Sequence, residues 1–104
     1  TTVFLVETYV IEPEKHEEFT AYKKKCSKFF KPYLKQLKSY KLLAQTIGGN
    51  TDGYVEMWEF ENLVELEKFY NKLMQSNYKT KLCPEFASLI VPASRTMDIW
   101  SSIP

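Results

Sequence analysis

The sequence has few of the residues that build metal centres, disulfide frameworks and phosphate loops. Its 104 residues include one histidine and two cysteines, Cys26 and Cys83, which lie far apart without a CxxC motif or a neighbouring histidine. This spacing predicts neither a zinc site nor a disulfide. The adjacent glycines Gly48 and Gly49 lack the GxxxxGK pattern of a phosphate-binding loop. We therefore expect no metal and no cofactor.

Long apolar runs and a strong net charge are also missing. The longest run of aliphatic or aromatic residues is Val3 to Val6, whereas a membrane-spanning helix needs about 20 apolar residues. No basic segment followed by an apolar stretch opens the chain, and we expect a cytoplasmic protein that does not contact a membrane. Fourteen basic residues against thirteen acidic ones leave a net charge of +1, which makes nucleic acid an unlikely partner.

The composition is that of one compact domain spanning residues 1–104. Apolar residues make up 44% of the chain and charged residues 26%, values typical of globular proteins. A domain of this size buries only about 60 to 70% of its unfolded surface, so a spare apolar sheet face favours self-association.

The first half of the chain predicts a strand, a helix and a hairpin. Residues 2–11 are rich in β-branched and aromatic types and stop before Pro13. Apolar residues then recur at spacings of three and four, which predicts an amphipathic helix to about Lys31. Residues 39–47 and 53–60 predict two strands, because the segment between them is rich in turn-forming residues.

The second half predicts a helix, a short helix and a strand. Asn62 with Glu65 three residues later is an N-cap with a partial capping box, and the helical pattern continues to about Ser76. After a loop, a short helix runs from Pro84 to Leu89, and residues 95–101 predict the last strand.

The order β-α-β-β-α-β is that of an α+β, ferredoxin-like fold with a four-stranded antiparallel sheet and a short extra helix before the last strand. Right-handed crossovers place strands one and three in the middle of the sheet and both long helices on one of its faces.

Both faces of the two central strands are apolar. We place under the helices one alternate set of side chains from strands one and three: Phe4, Val6, Thr8, Val10, Tyr54, Trp58 and Phe60. The opposite face then carries Val3, Leu5, Tyr9, Ile11, Val55 and Met57. A solvated face would alternate apolar with polar residues, so this face predicts a homodimer interface formed by Val3, Leu5, Tyr9, Val55 and Met57.

Three segments carry a resemblance to a known superfamily: FLVETYVIEPEKHEEF, YVEMWEFENLVELEKFY and the terminal strand that follows a short helix. They resemble the dimeric α+β barrel superfamily and, within it, the NIPSNAP-like and antibiotic-biosynthesis-monooxygenase-like groups. The resemblance implies a homodimer of ferredoxin-like domains. The superfamily includes cofactor-independent oxygenases, haem-degrading enzymes, isomerases and ligand-binding domains, so the fold does not fix the function.

The resemblance also points to particular residues. Trp58 matches the strand-three tryptophan that lines the pocket between sheet and helices in the oxygenase-like members. Thr8 falls where those enzymes have a polar residue, commonly asparagine, and a hydroxyl does not reproduce the hydrogen bonding of an amide. The haem-degrading members use a histidine on helix two, whereas the single histidine here, His16, is in helix one. Haem degradation of that kind is disfavoured.

We therefore predict a ligand cleft between sheet and helices that Thr8 and Trp58 line. Its apolar walls would be four residues of the helix stripes: Phe19, Tyr22, Phe69 and Met74. All of these residues are equally typical of ordinary core packing. Glu56 shares the face of Trp58 and is either a general base with a raised pKa or a solvated carboxylate at a sheet edge.

Charged residues on other parts of the chain have structural or electrostatic interpretations. Glu7 and Glu59 are placed on the interface side, where a carboxylate would meet Arg95 or a lysine across the dimer. Eight lysines lie between residues 23 and 41 without any acid: Lys23, Lys24, Lys25, Lys28, Lys31, Lys35, Lys38 and Lys41. They are either a solvated helix face or a rim that attracts a carboxylate or phosphate.

Two classes of function remain. The first is a cofactor-independent monooxygenase-like enzyme or isomerase acting on a small aromatic or polycyclic substrate. The second is a non-catalytic ligand-binding or structural homodimer. No Ser-His-Asp set and no metal-ligand spacing assigns a catalytic residue. The expected partners are a second copy of the chain and a small apolar or anionic molecule.

Overall fold

The computed structural model describes residues 1–104 as a four-stranded antiparallel sheet with helices on one face. The regular elements are β1 (Val3–Val10), α1 (His16–Phe30), β2 (Ser39–Ala44), β3 (Gly53–Phe60), α2 (Leu63–Met74), α3 (Cys83–Leu89) and β4 (Thr96–Ser101). The strand order β2-β3-β1-β4 puts β1 and β3 in the middle. The predicted α+β, ferredoxin-like architecture with a short extra helix before the last strand is confirmed.

The two long helices begin at residues that favour a helix N-terminus. A 3₁₀ turn over Pro13–Lys15 leads into α1, since proline suits a first helical turn that needs no N–H donor. Helix α2 begins after Asn62, whose side chain accepts a hydrogen bond from the Glu65 amide at 3.0 Å, as the capping motif predicted. No helix is both long and apolar enough to cross a membrane.

Two segments are more helical than the sequence indicated. The chain after α1 continues as 3₁₀ turns over Lys31–Gln36, and the predicted loop before α3 contains a π-helical turn over Tyr78–Leu82. This second turn places the Tyr78 side chain between two clusters of apolar residues under the helices.

The core beneath the helices consists of two clusters. One lies under α1 and α3 and contains Tyr9, Ile11, Phe19, Tyr22, Cys26, Leu82, Phe86 and Leu89. The other lies under α2 and contains Val3, Phe60, Leu66, Phe69 and Leu73. Burial of these side chains is the main favourable contribution to folding.

The predicted orientation of β1 is wrong. Val3, Tyr9 and Ile11 are buried under the helices, and Leu5 packs against the α2 cluster, so these residues do not form the predicted dimer interface. The strand is apolar on both faces, and its two-residue period does not decide which face the helices cover. Packing decides it. The Tyr9 ring lies 5.8 Å from Phe19 and 4.8 Å from Phe86 between ring centroids, a space that a valine or threonine would leave empty.

The outer face of the sheet remains apolar with a different set of β1 residues. By strand alternation and register its apolar side chains are Phe4, Val6, Val10, Leu43, Val55, Met57 and Trp100, and Thr8, Lys41, Glu59 and Asp98 lie on the same face. Val55 and Met57 are on this face as predicted, and Trp100 is 62% exposed. Nothing in the single chain covers these side chains.

Candidate functional site

Two carboxylates lie side by side beneath the helices. Glu7 on β1 pairs directly with Glu56 on β3, and their relative exposures are only 4% and 3%. Moving a carboxylate out of water is costly unless it is paired or hydrogen-bonded. The surroundings of each carboxylate therefore indicate its role.

Glu56 is held by donors from three elements. It accepts hydrogen bonds from Tyr9 Oη at 2.6 Å, from Lys23 Nζ at 2.7 Å and from the hydroxyl of Tyr40. Burial, reinforced by the charge of Glu56, raises the pKa of both tyrosines, which keeps them protonated as donors. The alternative of a solvated edge carboxylate is wrong, because Glu56 lies on a central strand. Glu56 therefore links α1 to three neighbouring strands, its own β3 and the flanking β1 and β2.

Glu7 has a poorer set of partners. Its one hydrogen bond within the chain comes from Arg95 Nε. Burial is the dominant influence and raises the pKa of Glu7, while the guanidinium of Arg95 lowers it only in part. The predicted pairing of Glu7 with Arg95 is present, but it is formed within one chain and under the helices, not across a dimer.

Glu7 lies on the floor of a cavity between the sheet and α2, which we call the β4-side cavity. Its volume is about 650 Å³, within the range of small-molecule sites. Its lining comes from the sheet, from α2 and from the π-helical turn: Leu5, Glu7, Phe30, Trp58, Phe69, Tyr70, Leu73, Met74, Tyr78, Lys79, Cys83, Arg95, Thr96 and Met97. Most of this lining is apolar, and Glu7 is its single acid.

A second cavity, the β2-side cavity, lies between α1 and β2. Its volume is about 180 Å³, and Glu56, Lys23 and Tyr40 form its polar end. Trp58 and Phe30 line both cavities and separate them. The indole of Trp58 also packs against Tyr40, with 5.4 Å between ring centroids.

Apart from Thr8, the predicted pocket residues divide into two groups. Trp58 and Glu56 lie at the cavities, as do Phe69 and Met74 on the wall that α2 supplies. Phe19 and Tyr22 are buried in the core under α1, and the Tyr22 hydroxyl donates to the Leu82 carbonyl at 3.1 Å.

Thr8 is a correction. It lies on the outer face of the sheet, where its hydroxyl contacts that of Thr96 on β4. With the orientation of β1 reversed, the residue that faces the helices beside Trp58 is Leu5, and the polar residue of β1 there is Glu7. Glu7, Arg95 and Tyr78 also line the β4-side cavity, which the sequence pattern did not indicate.

The remaining polar groups fall outside these cavities. His16 contacts the Tyr54 hydroxyl at 2.9 Å and Asp52 Oδ1 at 2.8 Å, which joins the start of α1 to the β2–β3 hairpin. No group of three or more His, Cys, Asp or Glu side chains is arranged to hold a metal ion. Of the lysine-rich segment, Lys23 turns inward to Glu56, while Lys24 and Lys28 line an open groove on α1.

Comparison with solved structures identifies the fold. The chain superposes on a NIPSNAP family protein from Agrobacterium tumefaciens strain C58 with a TM-score of 0.76 and 19% identity, covering 99% of this chain and 94% of that chain. It superposes on a NIPSNAP-like domain protein from Burkholderia xenovorans with a TM-score of 0.74 and 17% identity, covering 98% and 85%.

An antibiotic biosynthesis monooxygenase also superposes, with a TM-score of 0.72 and 14% identity, covering 98% of this chain and 99% of that chain. No family model and no curated protein matches the sequence. Likeness at these identities shows the fold and leaves the activity open. The chain therefore has the fold that NIPSNAP proteins share with antibiotic-biosynthesis-monooxygenase-like proteins, as the resemblance predicted.

Proposed function

We propose that this protein is a cofactor-independent monooxygenase-like enzyme that binds a small aromatic or bicyclic phenol in the β4-side cavity, where Glu7 accepts the hydroxyl proton. One observation carries the proposal: Glu7 is a buried carboxylate with a raised pKa on the floor of a mostly apolar cavity. A carboxylate with a raised pKa is a stronger base than an ordinary one, which suits it to accept a proton from a bound hydroxyl.

The cavity suits a flat apolar molecule. Phe69 and Met74 from α2 form one apolar wall, and Leu5, Trp58 and Met97 from the sheet form the other. A ligand enclosed there exchanges water for aromatic and aliphatic contacts. Glu7 keeps one carboxylate oxygen without a hydrogen bond from the chain, so a phenolic hydroxyl has an acceptor at the cavity floor.

The chemistry balances without an added reductant. Removal of the hydroxyl proton makes the ring electron-rich enough to supply electrons to dioxygen. For 1-naphthol, one atom of dioxygen becomes the second carbonyl oxygen of a naphthoquinone and the other leaves as water. The two hydrogens of that water are the hydroxyl hydrogen and one ring hydrogen of the naphthol, and the naphthol supplies all four electrons that reduce dioxygen. Neither metal nor flavin enters this balance, in keeping with the expectation of no cofactor.

A second copy of the chain covers the outer face of the sheet in this proposal. The support is the set of apolar side chains around Val55 and Met57, which includes Phe4, Val6 and Val10 of the neighbouring strand. A symmetric pair buries the same patch on both subunits.

Non-catalytic ligand binding in the same cavity is the competing function. It is favoured by one observation: Arg95 already pairs with Glu7, and this interaction partly offsets the rise in its pKa. The two functions differ in turnover and not in the place of binding.

The test is oxygen uptake with 1-naphthol by the wild type, by Glu7→Gln and by Glu67→Gln, which changes an exposed carboxylate on α2. We expect naphthoquinone formation by the wild type and the Glu67 variant. Loss of the base should lower the rate about a hundredfold or more in Glu7→Gln while binding persists. Binding without oxygen uptake by the wild type would support the non-catalytic function, and absence of binding would refute both.

A further inference from the structure

Two cations at the β4-side cavity have unused hydrogen-bond donors. Arg95 contacts Glu7 through Nε alone, which leaves both terminal nitrogens of the guanidinium without a partner in the chain. The guanidinium also lies over the Phe86 ring, 5.8 Å from its centroid. Lys79 lines the same cavity, is exposed and forms no ion pair within the chain.

The charges that line the cavity favour an anion. Glu7, Lys79 and Arg95 are its only charged residues, and together they carry a net positive charge even when Glu7 is ionised. A carboxylate can take two parallel hydrogen bonds from a guanidinium, which gives both strength and orientation. The Arg95 side chain is 42% exposed, so less water competes for such a contact there than at a fully solvated guanidinium.

The contact between Arg95 and Glu7 sets the spacing of groups on the ligand. Because the two side chains touch, a molecule that meets the free nitrogens of Arg95 and the free oxygen of Glu7 must carry its two polar groups on neighbouring atoms. Groups on opposite ends of a ring would lie too far apart to reach both. An acid and a hydroxyl on adjacent ring carbons have the required spacing.

We propose that the ligand is an aromatic acid whose carboxylate stands next to its phenolic hydroxyl. The carboxylate binds the terminal nitrogens of Arg95 with the help of Lys79, and the hydroxyl faces Glu7. This inference rests on the proposed function, since it specifies the class of molecule that the same cavity takes.

The first test compares three ligands on the wild-type protein by calorimetry. They are 1-hydroxy-2-naphthoate, with adjacent groups, 4-hydroxy-1-naphthoate, with groups across the ring, and 1-naphthol, with no acid. We expect the adjacent isomer to bind about tenfold or more tightly than either of the others, the effect of added charge-assisted hydrogen bonds. Added salt should weaken the binding of the adjacent acid and leave the binding of 1-naphthol unchanged.

The second test uses variants. Arg95→Lys keeps the charge and removes the planar fork, and it should abolish the preference for the adjacent isomer. Lys79→Gln should weaken the binding of the adjacent acid severalfold. Lys81→Gln changes a lysine on the same turn but outside the cavity, and it should bind the acid like the wild type. Thermal unfolding of each variant checks that it is folded, and the comparison of ligands on the wild type does not depend on any variant.

The outcomes separate this inference from the proposed function. If 1-naphthol binds as tightly as the adjacent acid and Arg95→Lys changes neither, the inference is wrong while the phenol-binding function stands. If the two acids bind equally, the adjacent spacing is wrong. If none of the three ligands binds, both the inference and the proposed function fail.

Discussion

Glu7 faces Glu56 directly across the β1–β3 ladder, yet the two carboxylates have different partners. Glu56 accepts hydrogen bonds from an ammonium and two phenols, whereas Glu7 has the single contact with Arg95. The saturated carboxylate holds α1 against the sheet, and the other one keeps an oxygen without a hydrogen bond from the chain. Two neighbouring acids thus acquire separate roles from their surroundings.

The raised pKa of Glu7 predicts a pH-dependent difference in stability. The folded protein holds the Glu7 proton above the ordinary pKa of 4.5, where the unfolded chain has lost it. The corresponding contribution to the free energy of unfolding is full below that value and is lost as pH rises through the folded-state pKa. Relative to Glu7→Gln, the wild type should therefore lose stability as the pH rises above 4.5 and through the folded-state pKa of Glu7. Denaturant unfolding measures this, and the opposite slope would contradict the assignment.

The Glu56 cluster predicts unequal effects at two adjacent lysines. Lys23→Met leaves a buried carboxylate with only its two tyrosine donors and should cost about 2 to 3 kcal/mol of unfolding free energy. Lys24→Met changes an exposed lysine without an ion pair and should stay within about 0.5 kcal/mol of the wild type. Equal losses for the two variants would show that Lys23 does not stabilise Glu56.

The outer sheet face predicts a dimer that a single charge dissociates. Val55→Lys places an ammonium at the centre of the apolar face and should weaken self-association by about a hundredfold or more. Val64→Lys, on the exposed side of α2, is the matched control. Analytical ultracentrifugation at micromolar concentration measures both, and a monomeric wild type or an undisturbed dimer of Val55→Lys would rule out this interface.

The two cysteines should differ in reactivity. Cys26 is buried in the core, and burial raises the pKa of its thiol, so little of the reactive thiolate forms. Cys83 is partly exposed and lines the β4-side cavity. In the variants Cys26→Ser and Cys83→Ser, the remaining thiol should be labelled at least about tenfold faster when it is Cys83. Faster labelling of Cys26 would mean that the helices do not enclose it.

The sequence predicts the elements well because each has a local signal. The Asn62 cap, the proline before α1 and the spacing of apolar residues on α2 act within a few positions, and the structure retains them. The face of β1 has no such signal. Valines, leucines and aromatics occupy both sides of that strand, and the choice is made by Phe19 and Phe86, which pack on Tyr9 from distant parts of the chain.

The same limit explains what was missed in the site. Trp58 and Glu56 could be proposed because they are two residues apart on β3 and therefore share one face of that strand. Glu7 joins them only once the β1–β3 register is known, and Arg95 reaches Glu7 from the far end of the chain. Alternation on both strands together with that register would have placed the two acids opposite each other.

A crystal structure of the protein with 1-naphthol would show directly whether Glu7 receives the phenolic hydroxyl. We expect the naphthalene ring in the β4-side cavity against Trp58 and Phe69, with the hydroxyl oxygen about 2.6 to 2.8 Å from a carboxylate oxygen of Glu7. A ring bound elsewhere, or one in the cavity whose hydroxyl turns away from Glu7, would contradict it.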